Sequence, residues 1–203
     1  ILAKEVELLD EKLRILDSTA VKAKVDVARH VGKQGDDNDG SPTRLQDRSP
    51  DPEAMIGHKS THVKWYGYKA HIAIDPSSDI VTAVLTTPAN VSDVTPSVDL
   101  IDKERKLFKD EPRPIRQVTG DKGYVGRTEA FKERNILDYT IPRDNMAPKK
   151  GTWYLSAKKK RPKVERIFAE GKTNHHLGTC RYWTRWKTHI QGLIVFLAMN
   201  LKR

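Results

Sequence analysis

Hydrophobic and polar positions alternate in some stretches of the chain and recur every three to four residues in others. Leu13, Ile15 and the Val21 end predict a strand, interrupted at Asp17-Ser18-Thr19. Two strands follow at 63–74 and 80–86; in the first, Ala70, Ile72 and Ile74 alternate with His71 and Ala73. A hairpin-like connection at 75–79 joins them. Residues 87–93 turn into a helix, with Ser92 or Asp93 as its N-cap and Val98, Ile101 and Leu107 on its apolar side. A proline-bounded loop at 109–114 leads to a strand over 115–121 carrying Ile115 and Val118. A helix at 128–134, a fifth strand at 138–142 and a loop at 143–151 come next. In 158–172, Pro162 suits the first turn of a helix whose apolar stripe is Val164, Ile167 and Phe168. Ile190, Leu193, Ile194, Leu197, Ala198 and Leu201 then recur at helical spacing and predict a helix with its face in the core.

Two regions stand apart. Residues 1–12 read as the end of a preceding helical region, with Leu2, Val6, Leu9 and Leu13 on one side, and the chain as the C-terminal part of a longer protein. Residues 13–203 read as one domain, interrupted at about 22–62 by a loop-rich excursion dense in Gly, Pro, Asp and Ser. Asp36, Asp37 and Asp39 there lack the spacing and closing Glu of a calcium loop and read as solvated.

Composition narrows the partners. The 203 residues hold 37 Lys and Arg against 27 Asp and Glu, a formal charge of +10 with pI about 9.6. That balance favours a polyanion, nucleic acid above all. A single cysteine, Cys180, excludes an intrachain disulfide. No apolar run reaches the roughly 18–20 residues of a membrane span, and no signal peptide is visible.

Three stretches carry candidate chemistry. Residues 115–124 end a strand on Gly-Asp-Lys-Gly, with Gly120 and Gly123 bracketing Asp121. This presents a carboxylate where open α/β sheets bind ligands; the alternative is a plain polar turn. Asp17 lies inside an apolar strand, either as an Asx-type turn or as a charge paired with a cation. Glu165 sits beside the apolar stripe of its helix, with Arg161 four residues before it and Lys172 seven after. Alone, that helix reads as a surface i,i+4 ion pair. The tyrosines and Trp65 of 63–74 read as packing before base stacking, as do Trp183 and Trp186 among Arg181, Arg185 and Lys187. His71 has no second ligand spaced for a metal.

Together and in order, these stretches resemble the DDE transposases of bacterial insertion sequences, the clade with a Y-R-E-K signature. Leu16-Asp17-Ser18-Thr19 matches the strand of the first carboxylate and Asp121-Lys122-Gly123-Tyr124 the second. Arg161, Glu165 and Lys172 match the signature's spacing, and Lys158 stands where it has Tyr. Tyr66–His71, Thr87–Asn90 and Asn200–Arg203 are also similar to that family. The resemblance implies an RNase H-like α/β fold: a mixed five-stranded sheet, its first three strands antiparallel, flanked by helices. It implies Asp17, Asp121 and Glu165 as catalytic ligands of two Mg²⁺ ions, with Mn²⁺ as substitute, and Arg161 and Lys172 as phosphate contacts. The implied activity is metal-dependent cleavage and strand transfer of double-stranded DNA at terminal inverted repeats, in a homodimer or larger synaptic complex. The implied place is the bacterial cytoplasm, at the nucleoid. Two other readings stand beside it: another RNase H-like nuclease or resolvase, and an inactive transposase kept as a DNA-binding protein.

Overall fold

A computed structural model describes residues 12–27, 49–107 and 115–203. The helical reading of the N-terminal eleven residues, the Asp36, Asp37 and Asp39 cluster and the 109–114 loop fall outside them. One mixed sheet is built from β1 (Leu13–Lys22), β2 (Met55–His58), β3 (Lys64–Asp75), β4 (Ile80–Pro88), β5 (Gln117–Thr119) and β6 (Leu137–Asp138). The helices are α1 (Ser97–Leu107), α2 (Thr128–Lys132), α3 (Thr152–Lys160), α4 (Pro162–His175) and α5 (Arg185–Asn200).

β1 lies at the centre of the sheet, antiparallel to β3 on one side and parallel to β5 on the other. β6 continues the parallel half, and the ladder runs past it: Tyr139 N–H donates to Val118 O at 2.8 Å and Ile141 N–H to Gly120 O at 3.0 Å. The expected antiparallel trio is thus β1, β3 and β4, and the parallel pair β5 and β6. The sheet has six strands where five are expected, because β3 is too long for one partner. β2 pairs with Lys64–Gly67 and β4 with Tyr68–Asp75, end to end along the same edge. Gly67 marks the junction with φ +152°, and a Cβ there would fall 2.3 Å from the Val21 carbonyl oxygen. β2 lies within the stretch read as a loop; only Met55 and Ile56 announced it.

Alternation along β1 assigns its two faces. Ile15 joins Ile72, Ile74, Val84, Val164, Ile167, Phe168, Phe196 and Met199 under α4 and α5. Leu16 joins Ala73, Ala83, Leu100, Ile101, Val118, Tyr124 and Phe131 under α1 and α2. Burying such side chains contributes about 1.5–3 kcal/mol each before chain entropy is subtracted. β1 is continuous through Asp17, not interrupted there. The Asn200 side chain ties α5 to β4, accepting from Val81 N–H at 3.0 Å and donating to Val81 O at 2.8 Å.

α5 forms as expected but is turned about its axis. Gly192, Val195, Phe196 and Met199 are buried, whereas Leu193, Ile194, Leu197 and Leu201 are exposed. Trp183 and Trp186 are also exposed rather than packed. Tyr66 and Tyr68 are buried, as packing requires, with both hydroxyls donating to Asp51. Among the described residues no helix is long and apolar enough to cross a membrane.

Candidate active site

The parallel register of β1 and β5 sets the first two carboxylates side by side. Leu13 faces Gln117 and Ile15 faces Thr119. Two residues further along each chain come Asp17, still in β1, and Asp121, just past the end of β5, at the seam where the sheet changes from antiparallel to parallel, a place where strand order opens a crevice. Asp121 caps a 3-10 turn over Lys122–Tyr124, its Oδ1 accepting from Gly123 N–H at 2.8 Å. Neither bracketing glycine has positive φ. Their need is room: a Cβ on Gly123 would lie 3.0 Å from Asp121 Oδ1, and one on Gly120 would lie 3.1 Å from the Tyr124 side chain.

Asp17 is 8% exposed. Its Oδ1 accepts from Ser18 N–H at 2.8 Å, the Asx contact foreseen for it, but inside a strand. Burial pushes its carboxyl up to about 7, against the lowering pull of that bond and of Arg161. Such a group is held as an anion only by a neighbouring cation.

α4 brings the third carboxylate. Pro162 occupies its first turn, as read from the sequence, and Val164, Ile167, Phe168 and Gly171 are buried. Glu165 is left facing outward beside them, 59% exposed at the side chain. The three carboxylates meet through Arg161. Its Nη1 lies 2.6 Å from Glu165 Oε1, and its Nη2 lies 3.4 Å from Asp17 Oδ2 and 3.9 Å from Asp121 Oδ2. Lys172 stands exposed two turns along α4; partial burial and Lys59 lower its pKa, while Asp17 raises it. Lys158 is exposed near the end of α3. The nearest tyrosine in that helix, Tyr154, is buried and leaves the signature's Tyr position unfilled.

One site residue escaped the sequence reading. Asp93, foreseen as a helix N-cap, is not one, because α1 starts at Ser97. Its Oδ1 instead accepts from Ser18 Oγ at 3.0 Å and Lys69 Nζ at 2.9 Å. Lys69 also donates to Val91 O at 2.9 Å, so the loop after β4 is tied to β3 beside the site. His71 is buried between Thr87 Oγ1 at 2.8 Å and Tyr124 OH at 3.3 Å. The only signal for Asp93 was its place three residues after the Thr87–Asn90 motif.

Asp17, Asp121 and Glu165 offer hard oxygen donors alone, the chemistry Mg²⁺ and Mn²⁺ prefer. Among the described residues no three His, Cys, Asp or Glu stand close enough to hold one ion as they are placed. The guanidinium of Arg161 lies between them and supplies the cation. The residues therefore fit the metal in charge and chemistry, with one side chain to be moved.

No curated protein matches the chain. A family model described as a transposase DDE domain matches residues 9–201. That match spans every element just described, and the chain belongs to the DDE-domain transposase family.

Proposed function

We propose that this domain cleaves DNA and transfers strands at the ends of an insertion sequence, with Asp17, Asp121 and Glu165 as its catalytic carboxylates. The observation that carries this is their convergence on one guanidinium from β1, the turn after β5 and α4, with Asp17 and Glu165 148 residues apart in sequence. Two divalent ions, Mg²⁺ or Mn²⁺, would be held by the carboxylates of Asp17, Asp121 and Glu165. Bound there, they supply Lewis-acid charge at the attacked phosphate and lower the pKa of an attacking water. The protein's own part is positional. The sheet fixes Asp17 and Asp121 in register, and α4 sets Glu165 against them. Arg161 and Lys172 neutralise phosphate near the scissile bond and hold the duplex in place. The clade with the Y-R-E-K signature, a synaptic dimer or larger assembly, and a cytoplasmic, nucleoid location belong to the same reading.

The test is cleavage of a repeat-end duplex by the full-length protein in Mg²⁺, with binding measured in parallel without metal. Asp121→Asn is expected to abolish cleavage and to bind metal-free DNA as well as the parent or better, since a carboxylate repels phosphate. Cleavage surviving in a folded Asp121→Asn protein removes Asp121 from the mechanism. Cleavage without strand transfer by the parent points to a nuclease or resolvase instead.

A further inference from the structure

Arg161 differs from a structural arginine in how it is bonded. Arg134 shows the structural kind: Nε and Nη2 grip both oxygens of Asp102 at 2.8 and 2.7 Å, a fork-to-fork pair. Arg161 spreads one guanidinium over three carboxylates, at 2.6, 3.4 and 3.9 Å, and grips none of them with two nitrogens. Among the described residues its Nε is buried with no hydrogen-bond partner. A donor left unpaired is costly, so this placement follows the surrounding negative charge rather than a satisfied bonding pattern. One positive charge also undercompensates three carboxylates. The residue sits between α3 and α4 with ordinary helical φ and ψ, so its side chain can leave by rotamer change while the backbone stays.

We propose that Arg161 is a stand-in cation: it occupies the carboxylate centre of the metal-free protein, competes with the incoming divalent ion, and is released by it to grip a DNA phosphate. Metal loading and phosphate contact are then one coupled event. A ligand shifts such an equilibrium only through its preference for one state, and here the ion binds only with the guanidinium out. By reciprocity, DNA that holds Arg161 outward tightens the site for the ion. The inference rests on the reading of the three carboxylates as a metal site, and its test separates the two.

Mn²⁺ binding is measured without DNA, by the paramagnetic resonance of free Mn²⁺, for the parent, Arg161→Gln and Asp121→Asn, each checked for folding by circular dichroism. Arg161→Gln is expected to bind Mn²⁺ about five-fold tighter or more, the lower end of ordinary coupling. Equal or weaker binding, with Asp121→Asn still impaired, overturns the competition and leaves the metal site standing. Asp121→Asn binding Mn²⁺ as the parent does overturns the metal site, and the inference with it. Should Arg161→Gln not fold, Arg161→Lys keeps the charge but cannot span three carboxylates, and tighter binding is again expected; equal or weaker binding overturns the proposal. A second arm reads release. Duplex affinity is followed against salt for parent and Arg161→Gln, with and without Ca²⁺. The parent's slope is expected to exceed the variant's by about one with the ion and to match it without. The same slope difference in both conditions means that Arg161 grips phosphate without being released, and overturns the coupling.

Discussion

At the scale of single residues, the fold holds a neutral imidazole next to a highly charged site. His71 is fully buried; burial and Lys69 lower its pKa to about 4, while Asp93, 4.0 Å away, opposes them. The unfolded chain therefore takes up this proton first as pH falls from about 6.5. Stability is complete above that pH and is lost as pH drops toward 4, by about 3 kcal/mol at full protonation. In thermal melts the parent is expected to lose more stability between pH 7.5 and pH 4.5 than His71→Asn. Equal losses would mean that the imidazole is not held neutral. Asp17, Asp121 and Glu165 were picked out from sequence only together: alone each also reads as a turn or a surface ion pair, and it is their order and spacing, matched to a family, that joined them. Asp93 stands outside those matches. A capping aspartate and a site aspartate look alike after a turn, and only the pairing of β1 with β3 brings Ser18 and Lys69 to it.

At the scale of elements, the order of strands and helices was legible because most elements have one apolar face. α5 shows where that fails. It carries two apolar stripes at helical spacing, and periodicity finds both without saying which is covered. The choice is made by fit: Gly192 faces β4, where even an added Cβ would meet Val84 Cγ1 at an ordinary 3.8 Å, and Phe196 meets Phe168 edge-on at 6.5 Å. Phe196→Ala is therefore expected to cost about 3–5 kcal/mol. Leu197→Ala, on the stripe first read as core and 59% exposed, is expected to stay within about 0.5 kcal/mol. Denaturant melts of the two variants check this, and a large loss in Leu197→Ala would restore the first reading of the helix. α3 went unread for the opposite reason: Tyr154 and Ala157 are its only buried residues, too few to make a period.

At the scale of the molecule, charge and site point the same way. The excess of ten basic residues is not spread without regard to the chemistry, since Arg161, Lys172 and Lys59 gather at the carboxylate centre. Of these, Lys172 and Lys59 are exposed and free of a carboxylate at ion-pair distance among the described residues, whereas Arg161 is engaged with all three. In metal-free protein Lys172, with Lys59 near it, is thus ready for phosphate. Binding of duplex by the 203-residue chain is expected to be mainly electrostatic, with log K falling linearly in log salt. Lys172→Ala should weaken it to a similar degree on repeat-end and random duplexes, and should lower the slope by about one, the release of one counterion. The stability of the variant should change by less than about 0.5 kcal/mol, because the residue is exposed and no acid lies at ion-pair distance among the described residues. A salt-independent affinity would remove the electrostatic account. A slope unchanged in Lys172→Ala, with weaker binding to repeat ends alone, would instead make Lys172 a reader of sequence rather than a phosphate contact.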